Sequence, residues 1–265
     1  MRVERLGDRE PEVAIVGGIH GDEPCGVRAV ERLIEEQPTV ERPVALVIAN
    51  EHAIEARTRY VDDDLNRAFP GDPDAASHEK RLAAELTERL ADCTTLSLHS
   101  TQSYGGRFAI VDSPGEFEGR IVPHLSVDAV VDASAFNRGR LFDSVSETIE
   151  VECGYQGSDE AAENATLLAR EFLGAVGALP EERRPRQSDL PVYRLTDRVP
   201  KEPGQRYEVF ASNFERVPPG EAFAAVDEDS LVAEEGFYPV LMSPYGYEDV
   251  FGYTADHVGT VDGML

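Results

Sequence analysis

Short apolar runs alternate with segments of helical periodicity through the first two-thirds of the chain. Residues 12–18 (EVAIVGG) and 43–50 (PVALVIAN) are short and almost wholly apolar, as strands buried on both faces are. Between them, residues 23–37 repeat apolar side chains at the spacing of one helical face. This order of strand, helix and strand predicts an α/β fold around a largely parallel sheet.

The same patterns predict the remaining elements of this region. Further helices are expected at 75–91 and at 158–177, the second opening on a capping Ser or Asp. Further strands are expected at 94–99, 107–112 and 147–152.

The character of the sequence changes after residue 178. Residues 179–191 (LPEERRPRQSDLP) combine three prolines with dense charge, which is typical of a linker or a domain boundary. Beyond them lie short, turn-separated apolar runs without a convincing helix: VYRLTDRV, RYEVFASNF, AFAAVD and YPVLMS. We therefore predict an α/β domain over residues 1–180 and a smaller β-rich domain over residues 190–265.

The amino-acid composition is typical of a soluble globular protein. The 265 residues are 41% hydrophobic and 29% charged, as in soluble globular proteins, and no apolar run approaches the ~20 residues of a membrane span. The first ten residues, MRVERLGDRE, lack the apolar core of a signal peptide, so we expect a cytoplasmic protein. Three widely spaced cysteines without a CxxC pair suggest neither a disulfide framework nor a cysteine zinc site.

The chain is strongly acidic. Its formal charge is −26, from 51 acidic and 25 basic residues, and lysine occurs only at positions 80 and 201. Such a charge repels nucleic acid and anionic membranes, so neither is expected as a partner. Because the acids are spread along the whole chain, we favour the composition of proteins from a salt-rich cytoplasm (halophilic) over an acidic recognition surface.

Candidate metal ligands follow the predicted strands. His20 and Glu23 come directly after the strand at 12–18, at the edge of the sheet where α/β proteins bind ligands, and glycines there allow a sharp turn. The alternative is a plain strand-to-helix turn. His52 and Glu55 repeat the spacing in a polar segment without this setting, so we do not expect them to bind metal.

Two further strand ends carry polar side chains. His99 ends the strand at 94–99 and suits a third ligand, although a histidine bonded to a neighbouring loop fits equally well. Glu150 and Glu152 share one face of the strand at 147–152, and Glu152 lies nearer the edge, where a hydrolase places its general base. A solvent-facing pair on an edge strand is the alternative.

Arginines concentrate in the polar segment 57–71. Arg57, Arg59 and Arg67 stand out in a chain short of positive charge, and an arginine beside an Asn commonly holds a carboxylate. The alternative is that these arginines pair with the acids at 62–64.

Taken in order, these pieces resemble the succinylglutamate desuccinylase/aspartoacylase family, relatives of the zinc carboxypeptidases. GGIHGDEPCG, TRYVDDDLNRAFPG, LHST and VECG are similar to its catalytic domain, and YPVLMSPYGYED (238–249) to its C-terminal segment. The resemblance implies a zinc-carboxypeptidase-like fold: a mixed, largely parallel sheet flanked by helices, with the smaller β-rich domain covering the active site.

The resemblance also implies a role for each matching residue. His20, Glu23 and His99 would hold one Zn²⁺ per chain, and Glu152 would activate the attacking water and later protonate the leaving amine.

The remaining roles concern the substrate. Arg59 would polarise the scissile carbonyl. Asn66 and Arg67 would hold the α-carboxylate of an N-acyl amino acid, Tyr247 would reach in from the C-terminal domain, and Asp64 would support the metal shell or the arginines.

The sequence departs from the family pattern twice. Ser97 stands where the family usually has an Asp two residues before the strand-end histidine. Aspartoacylases place an arginine for the second carboxylate of aspartate ten residues before the catalytic Glu, and here that position is Phe142. Arg138 or Arg140 can replace it only if the loop is displaced, which makes N-acetylaspartate a poor candidate substrate.

These expectations converge on a zinc-dependent amidohydrolase that removes an acyl group from an N-acyl amino acid or similar small carboxylate. A carboxypeptidase of short peptides would share the carboxylate clamp, although a domain over the site would leave little room for a peptide. A metal-binding or ligand-binding module without catalysis would lack an acid at the base position. An acidic interaction protein would bind no stoichiometric zinc.

Overall fold

The computed structural model describes residues 1–263 of the chain. Its strands are β1 (Arg2–Leu6), β2 (Val13–Gly17), β3 (Val44–Ile48), β4 (Thr94–Thr101), β5 (Phe108–Val111), β6 (Ala129–Asp132), β7 (Thr148–Tyr155), β8 (Pro191–Pro200), β9 (Tyr207–Val209), β10 (Ala222–Val226), β11 (Asp229–Val232), β12 (Tyr238–Val240) and β13 (Val250–Thr260). Its α-helices are α1 (Pro24–Glu36), α2 (Glu51–Ala56), α3 (His78–Leu90), α4 (Glu116–Ile121), α5 (Leu141–Ser144) and α6 (Asp159–Ala175). Short 3₁₀ turns cover Leu65–Arg67, Val122–His124, Ser134–Phe136, Pro180–Glu182 and Val261–Gly263.

Ten strands form one mixed sheet in the order β1-β3-β2-β4-β7-β5-β6-β8-β13-β12. Strands β3, β2, β4 and β7 run parallel to one another. Strand β5 is antiparallel to β7, and β5, β6 and β8 are mutually parallel. The carboxyl ends of β2, β4 and β7 therefore meet at one edge of the sheet.

Helices cover both faces of the parallel half. Val13 and Ile15 of β2 belong to a core shared with α1 and α6. Ala14 and Val16 point to the opposite face, into a core with α3. Because each strand buries both faces, its sequence is continuously apolar instead of alternating.

This architecture confirms the predicted α/β class, the mixed and largely parallel sheet and the flanking helices. The strands expected at 12–18, 43–50, 94–99, 107–112 and 147–152, and the helices expected at 23–37, 75–91 and 158–177, form close to those bounds.

Several short elements were not predicted. Strand β1 (RVERL) is mostly exposed and pairs only along β3 at the edge of the sheet, so its polar side chains give no buried pattern. Helix α2 is capped by the side chain of Asn50 and buries only Ala53. Six residues with one buried position are too few to show a helical period.

The C-terminal region is rich in strands, as expected, but these strands are divided between two sheets. Strands β8, β13 and β12 extend the ten-stranded sheet, whereas β9, β10 and β11 form a separate three-stranded antiparallel sheet. The connection at 179–191 buries Leu179 and Leu190 and holds one 3₁₀ turn. The domain division between residues 180 and 190 stays a prediction.

None of the helices within residues 1–263 has the length and apolar character needed to cross a membrane.

Candidate active site

The turn after β2 brings His20 and Glu23 to the sheet edge. Gly18 adopts a left-handed conformation with φ of 71°. Gly21 lies so close to α2 that a Cβ there would fall 2.1 Å from the backbone carbon of Ala53. Pro24 then begins α1. This turn therefore requires glycine at position 18 for its backbone conformation and at position 21 for its close packing against α2.

Three buried side chains converge at this edge. Oε1 of Glu23 lies 2.7 Å from Nδ1 of His20, and Oε2 of Glu23 lies 3.1 Å from Nδ1 of His99. One potential ligand atom from each residue lies within 4.8 Å of the other two. Two imidazoles and a carboxylate are a donor set that suits catalytic zinc, with a further position open. These residues fit the metal implied by the sequence.

The outer nitrogen of each histidine also has a partner. Nε2 of His20 lies 3.2 Å from Oδ1 of Asp64, and Nε2 of His99 lies 3.0 Å from Oγ of Ser97. Such contacts fix the orientation of a ligating imidazole and tune its basicity. Ser97, one of the two departures from the family pattern, thus contacts His99 with a neutral hydroxyl.

Glu23 and the two histidines shift one another's pKa values. Burial alone would raise the pKa of Glu23, but the charges and hydrogen bonds of His20 and His99 outweigh it and hold this pKa well below its usual value. Burial would lower the pKa of His99, but its hydrogen bond to Glu23 and the Glu23 charge raise it to about 9. In the metal-free protein, the imidazole of His99 is therefore protonated at neutral pH.

Glu152 lies beside the cluster on β7. It is the register partner of His99 on β4, and its buried Oε2 has no hydrogen-bond partner within residues 1–263. Burial and the neighbouring charge of Glu23 raise the pKa of Glu152 to about 7. A carboxyl group with that pKa can both accept and return a proton near neutral pH.

Arg59 is fixed against the same cluster. Its Nη1 donates to Oε1 of Glu23 at 3.2 Å, and its Nε donates to Oδ2 of Asp64 at 3.1 Å. Although burial opposes it, the charges of Asp64 and Glu23 raise the pKa of the guanidinium, which stays positive. The alternative interpretation, in which the arginines pair with the acids at 62–64, thus holds for Arg59 and Asp64. Arg57, by contrast, ends α2 and is exposed.

The segment that carries Arg59 and Asp64 is held by Glu79, which the sequence analysis did not identify. The fully buried Glu79 carboxylate accepts hydrogen bonds from three consecutive backbone amides at residues 61–63 and from Nδ2 of Asn50, at 2.7 to 3.2 Å. These bonds outweigh burial and lower the pKa of Glu79. A Glu two positions after the capping Ser77 looks like an ordinary first-turn residue, so the sequence pattern gave no signal.

A second buried network lies deeper in the site. Glu150 accepts a hydrogen bond from Nδ2 of Asn66 and one from Nη1 of Arg140, each at 3.0 Å. Oδ1 of Asn66 accepts from the amide of Leu141. Strand β7 is internal to the sheet, so Glu150 and Glu152 are buried and do not form a solvent-facing pair. Of the two arginines considered as replacements, Arg140 lines the site.

A small inner chamber opens into an outer cleft of about 870 Å³. The inner chamber is lined by the metal-ligand candidates, Glu152, Glu150, Asn66 and Arg140. Five residues line both the inner chamber and the outer cleft: Arg59, Arg67, Gln102, Gly246 and Tyr247. Every residue expected in the site therefore lines one connected space.

Tyr247 comes from the C-terminal region, in the segment between β12 and β13. Its ring centroid lies 5.8 Å from Cζ of Arg59, and its backbone oxygen accepts a hydrogen bond from Lys201. His52, the residue not expected to bind metal, stacks on His78 at 4.5 Å. Within residues 1–263, no metal-ligand group includes His52.

Comparison with known proteins shows which sequences and folds this chain resembles. Residues 9–104 match the family profile of the succinylglutamate desuccinylase/aspartoacylase catalytic domain. This match spans less than half of the chain, and it includes the region that carries His20, Glu23 and His99. An N-acyl-aromatic-L-amino acid amidohydrolase (carboxylate-forming) of Mus musculus is 34% identical over 141 residues, which are 45% of this chain and 43% of that protein. An aspartoacylase of Danio rerio is 33% identical over 117 residues, or 38% of this chain and 37% of that protein.

Solved structures show the same fold over nearly the whole chain. The ectoine utilization protein EutE of Ruegeria pomeroyi has a TM-score of 0.77 at 19% identity, covering 97% of this chain and 88% of that protein. Murine aminoacylase 3 has a TM-score of 0.73 at 22% identity, covering 95% and 97%. Sequence similarity to the curated relatives, by contrast, spans less than half the length of each.

Proposed function

We propose that this protein is a zinc-dependent amidohydrolase that cleaves the amide bond of an N-acyl amino acid or a similar small carboxylate. The observation that carries the proposal is the position of Glu152. Its buried carboxyl group, with a pKa of about 7 and one oxygen that has no partner within residues 1–263, lies beside the cluster of two histidines and a glutamate. The match of residues 9–104 to the family profile and the relatives named amidohydrolases support the same reaction class.

His20, Glu23 and His99 would hold one Zn²⁺ per chain, which supplies Lewis-acid polarisation of the reacting groups when bound. Glu152 takes a proton from the attacking water and returns it to the leaving amine. Arg59, held by Glu23 and Asp64, presents a permanent positive charge to the developing oxyanion.

Substrate binding is assigned to Arg67, Asn66 and Tyr247. The Arg67 guanidinium donates to the backbone oxygen of Asn66 and forms no ion pair within residues 1–263, so its charge is available to a substrate carboxylate. Asn66 uses one of its two amide hydrogens for Glu150, which leaves the other for the same carboxylate. Tyr247 closes the chamber from the C-terminal side.

Metal analysis and one substitution test the proposal. The purified protein should contain about one zinc per chain, and Glu152→Ala should keep the metal and the fold while hydrolysis of N-acetyl and N-succinyl amino acids is lost. Glu171 of α6 offers a matched control, because it is also buried but contacts Ser126 and Arg184 away from the chamber. Glu171→Gln should remain active. Hydrolysis by Glu152→Ala, or a protein without zinc, would contradict the assignment.

The outer cleft supports a second candidate. Its volume of about 870 Å³ is more than a single N-acyl amino acid needs, which leaves room for a short peptide. Carboxypeptidase activity predicts that dipeptides with a free amino terminus are cleaved faster than the matching N-acetyl amino acids. Comparing N-acetylphenylalanine with glycylphenylalanine at equal concentration separates the two activities.

A further inference from the structure

Glu150 determines the charge of the inner end of the chamber. Its side chain is buried, and each of its carboxylate oxygens accepts a hydrogen bond from a residue that lines the same space. Oε2 accepts from Nη1 of Arg140, and Oε1 accepts from Nδ2 of Asn66. Glu150 therefore contacts two groups that would otherwise face a ligand directly.

Three guanidinium groups line the chamber, and two of them are already neutralised. Arg59 is paired with Glu23 and Asp64, and Arg140 is paired with Glu150. Only Arg67 makes no ion pair with any carboxylate in the described part of the chain. The chamber thus has one guanidinium whose charge is free for a ligand.

The outer cleft adds no surplus positive charge. Its basic and acidic lining residues are equal in number: Arg59, Arg67, Arg198 and Lys201 against Asp22, Asp64, Glu248 and Asp249. A second carboxylate on the substrate finds no excess of positive charge in this space either. Within the chamber it would also lie close to Glu150, and like charges held together in a buried site are costly.

Arg140 has one N–H group that its ion pair with Glu150 does not use. Its Nε–H is buried and has no acceptor among the residues that the structure describes. A donor whose charge is cancelled by Glu150 suits a neutral oxygen, such as the carbonyl of a side-chain amide, better than a carboxylate.

We propose that Glu150 restricts this site to N-acyl amino acids that carry a single carboxylate, and that side-chain amides are accepted where the corresponding side-chain acids are rejected. The proposal rests on the proposed amidohydrolase function and specifies its substrate class. Glu150 is a specificity-determining residue that acts through Arg140 and Asn66.

Matched pairs of substrates test the proposal in the zinc-loaded enzyme. N-acetylasparagine and N-acetylaspartate have nearly the same shape, but one carries a neutral side-chain amide and the other a charged carboxylate, and N-acetylglutamine and N-acetylglutamate form a second such pair. The native enzyme should favour each amide by about tenfold or more in kcat/KM. In Glu150→Gln the charge of Arg140 is released, so the same ratio should fall by about tenfold or more. Because each ratio is measured on one preparation, a partly unfolded variant does not distort it.

Two further variants separate specificity from damage. Glu150→Asp keeps the negative charge and should keep the native preference. Glu171→Gln removes a buried carboxylate far from the chamber and should also keep it. A native enzyme that favours the acids, or a preference unchanged in Glu150→Gln, would overturn the proposal.

Binding gives a readout that does not depend on turnover. Calorimetric titration of the zinc-loaded protein with asparagine and with aspartate should show the same preference for the amide, reduced in Glu150→Gln. If no N-acyl amino acid is hydrolysed but this binding preference is found, the proposed function fails and the charge selection stands. If hydrolysis occurs with a preference for the acids, the function stands and the charge selection fails.

Discussion

Replacing Glu79 by Gln tests whether the segment carrying Arg59 and Asp64 must be anchored for catalysis. The Glu79 carboxylate accepts four hydrogen bonds. A Gln side chain keeps one acceptor oxygen, but its amide NH2 group faces the donors that the second oxygen would have accepted from. Each buried donor left unpaired costs about 1 to 3 kcal/mol. With two donors affected and partial access to water at residues 62 and 63, we expect a loss of about 2 to 4 kcal/mol in the free energy of unfolding.

Glu171→Gln provides the matched control, because that buried carboxylate accepts two hydrogen bonds from Ser126 and forms an ion pair with Arg184. Urea unfolding should show both variants destabilised. Only Glu79→Gln should lower kcat per folded, zinc-loaded molecule, by about tenfold or more, because Arg59 would no longer be fixed beside Glu23. Full activity in Glu79→Gln, or an equal loss in Glu171→Gln, would refute the anchoring argument.

Three further predictions concern the metal ligands. Ser97→Ala removes the partner of His99 Nε2 and should weaken Zn²⁺ affinity by about 10- to 100-fold in a chelator competition, with unchanged far-UV circular dichroism. In the metal-free protein, the pKa of His99 is raised from 6.5 to about 9, so its contribution to stability is complete below pH 6.5 and is lost as pH rises through 9. Urea unfolding in EDTA should show a fall of about 3 kcal/mol across this window, absent in His99→Gln. Gly21→Ala forces a Cβ against the backbone of Ala53 and should abolish stoichiometric zinc binding, whereas Gly157→Ala, in an open turn with φ of 75°, should cost stability but retain zinc.

The fold could be predicted from the sequence where burial gives the apolar residues a regular pattern. Strands β2 and β3 are buried on both faces, and helices α1, α3 and α6 each bury a single face, so their patterns are long and unmixed. The sequence pattern of the C-terminal strands does not indicate which strands they pair with. Short strands look alike whether they extend the main sheet or form another, which is why β8, β12 and β13 were not assigned to the large sheet.

The candidate site was predictable to the extent that strand ends mark it. His20, Glu23, His99 and Glu152 follow or end strands that lie side by side, so their sequence positions carried the information. Glu79 acts from a helix through four hydrogen bonds, and Arg140 acts from a loop through its ion pair with Glu150. Their positions along the chain have no regular relation to the sheet edge. Such residues become visible only when the donors around them are known.

Glu150 and Glu152 show how far environment separates two identical side chains. They lie two residues apart on β7 and face the same chamber, so the sequence could rank them only by distance from the strand end. Both oxygens of Glu150 accept hydrogen bonds, one from Arg140 and one from Asn66. Oε2 of Glu152 has no hydrogen-bond partner among residues 1–263, and burial together with the Glu23 charge raises the pKa of Glu152 to about 7. Because a general base must be free to bind a proton, the proposed function assigns that role to Glu152, while Glu150, on the same strand, pairs with Arg140.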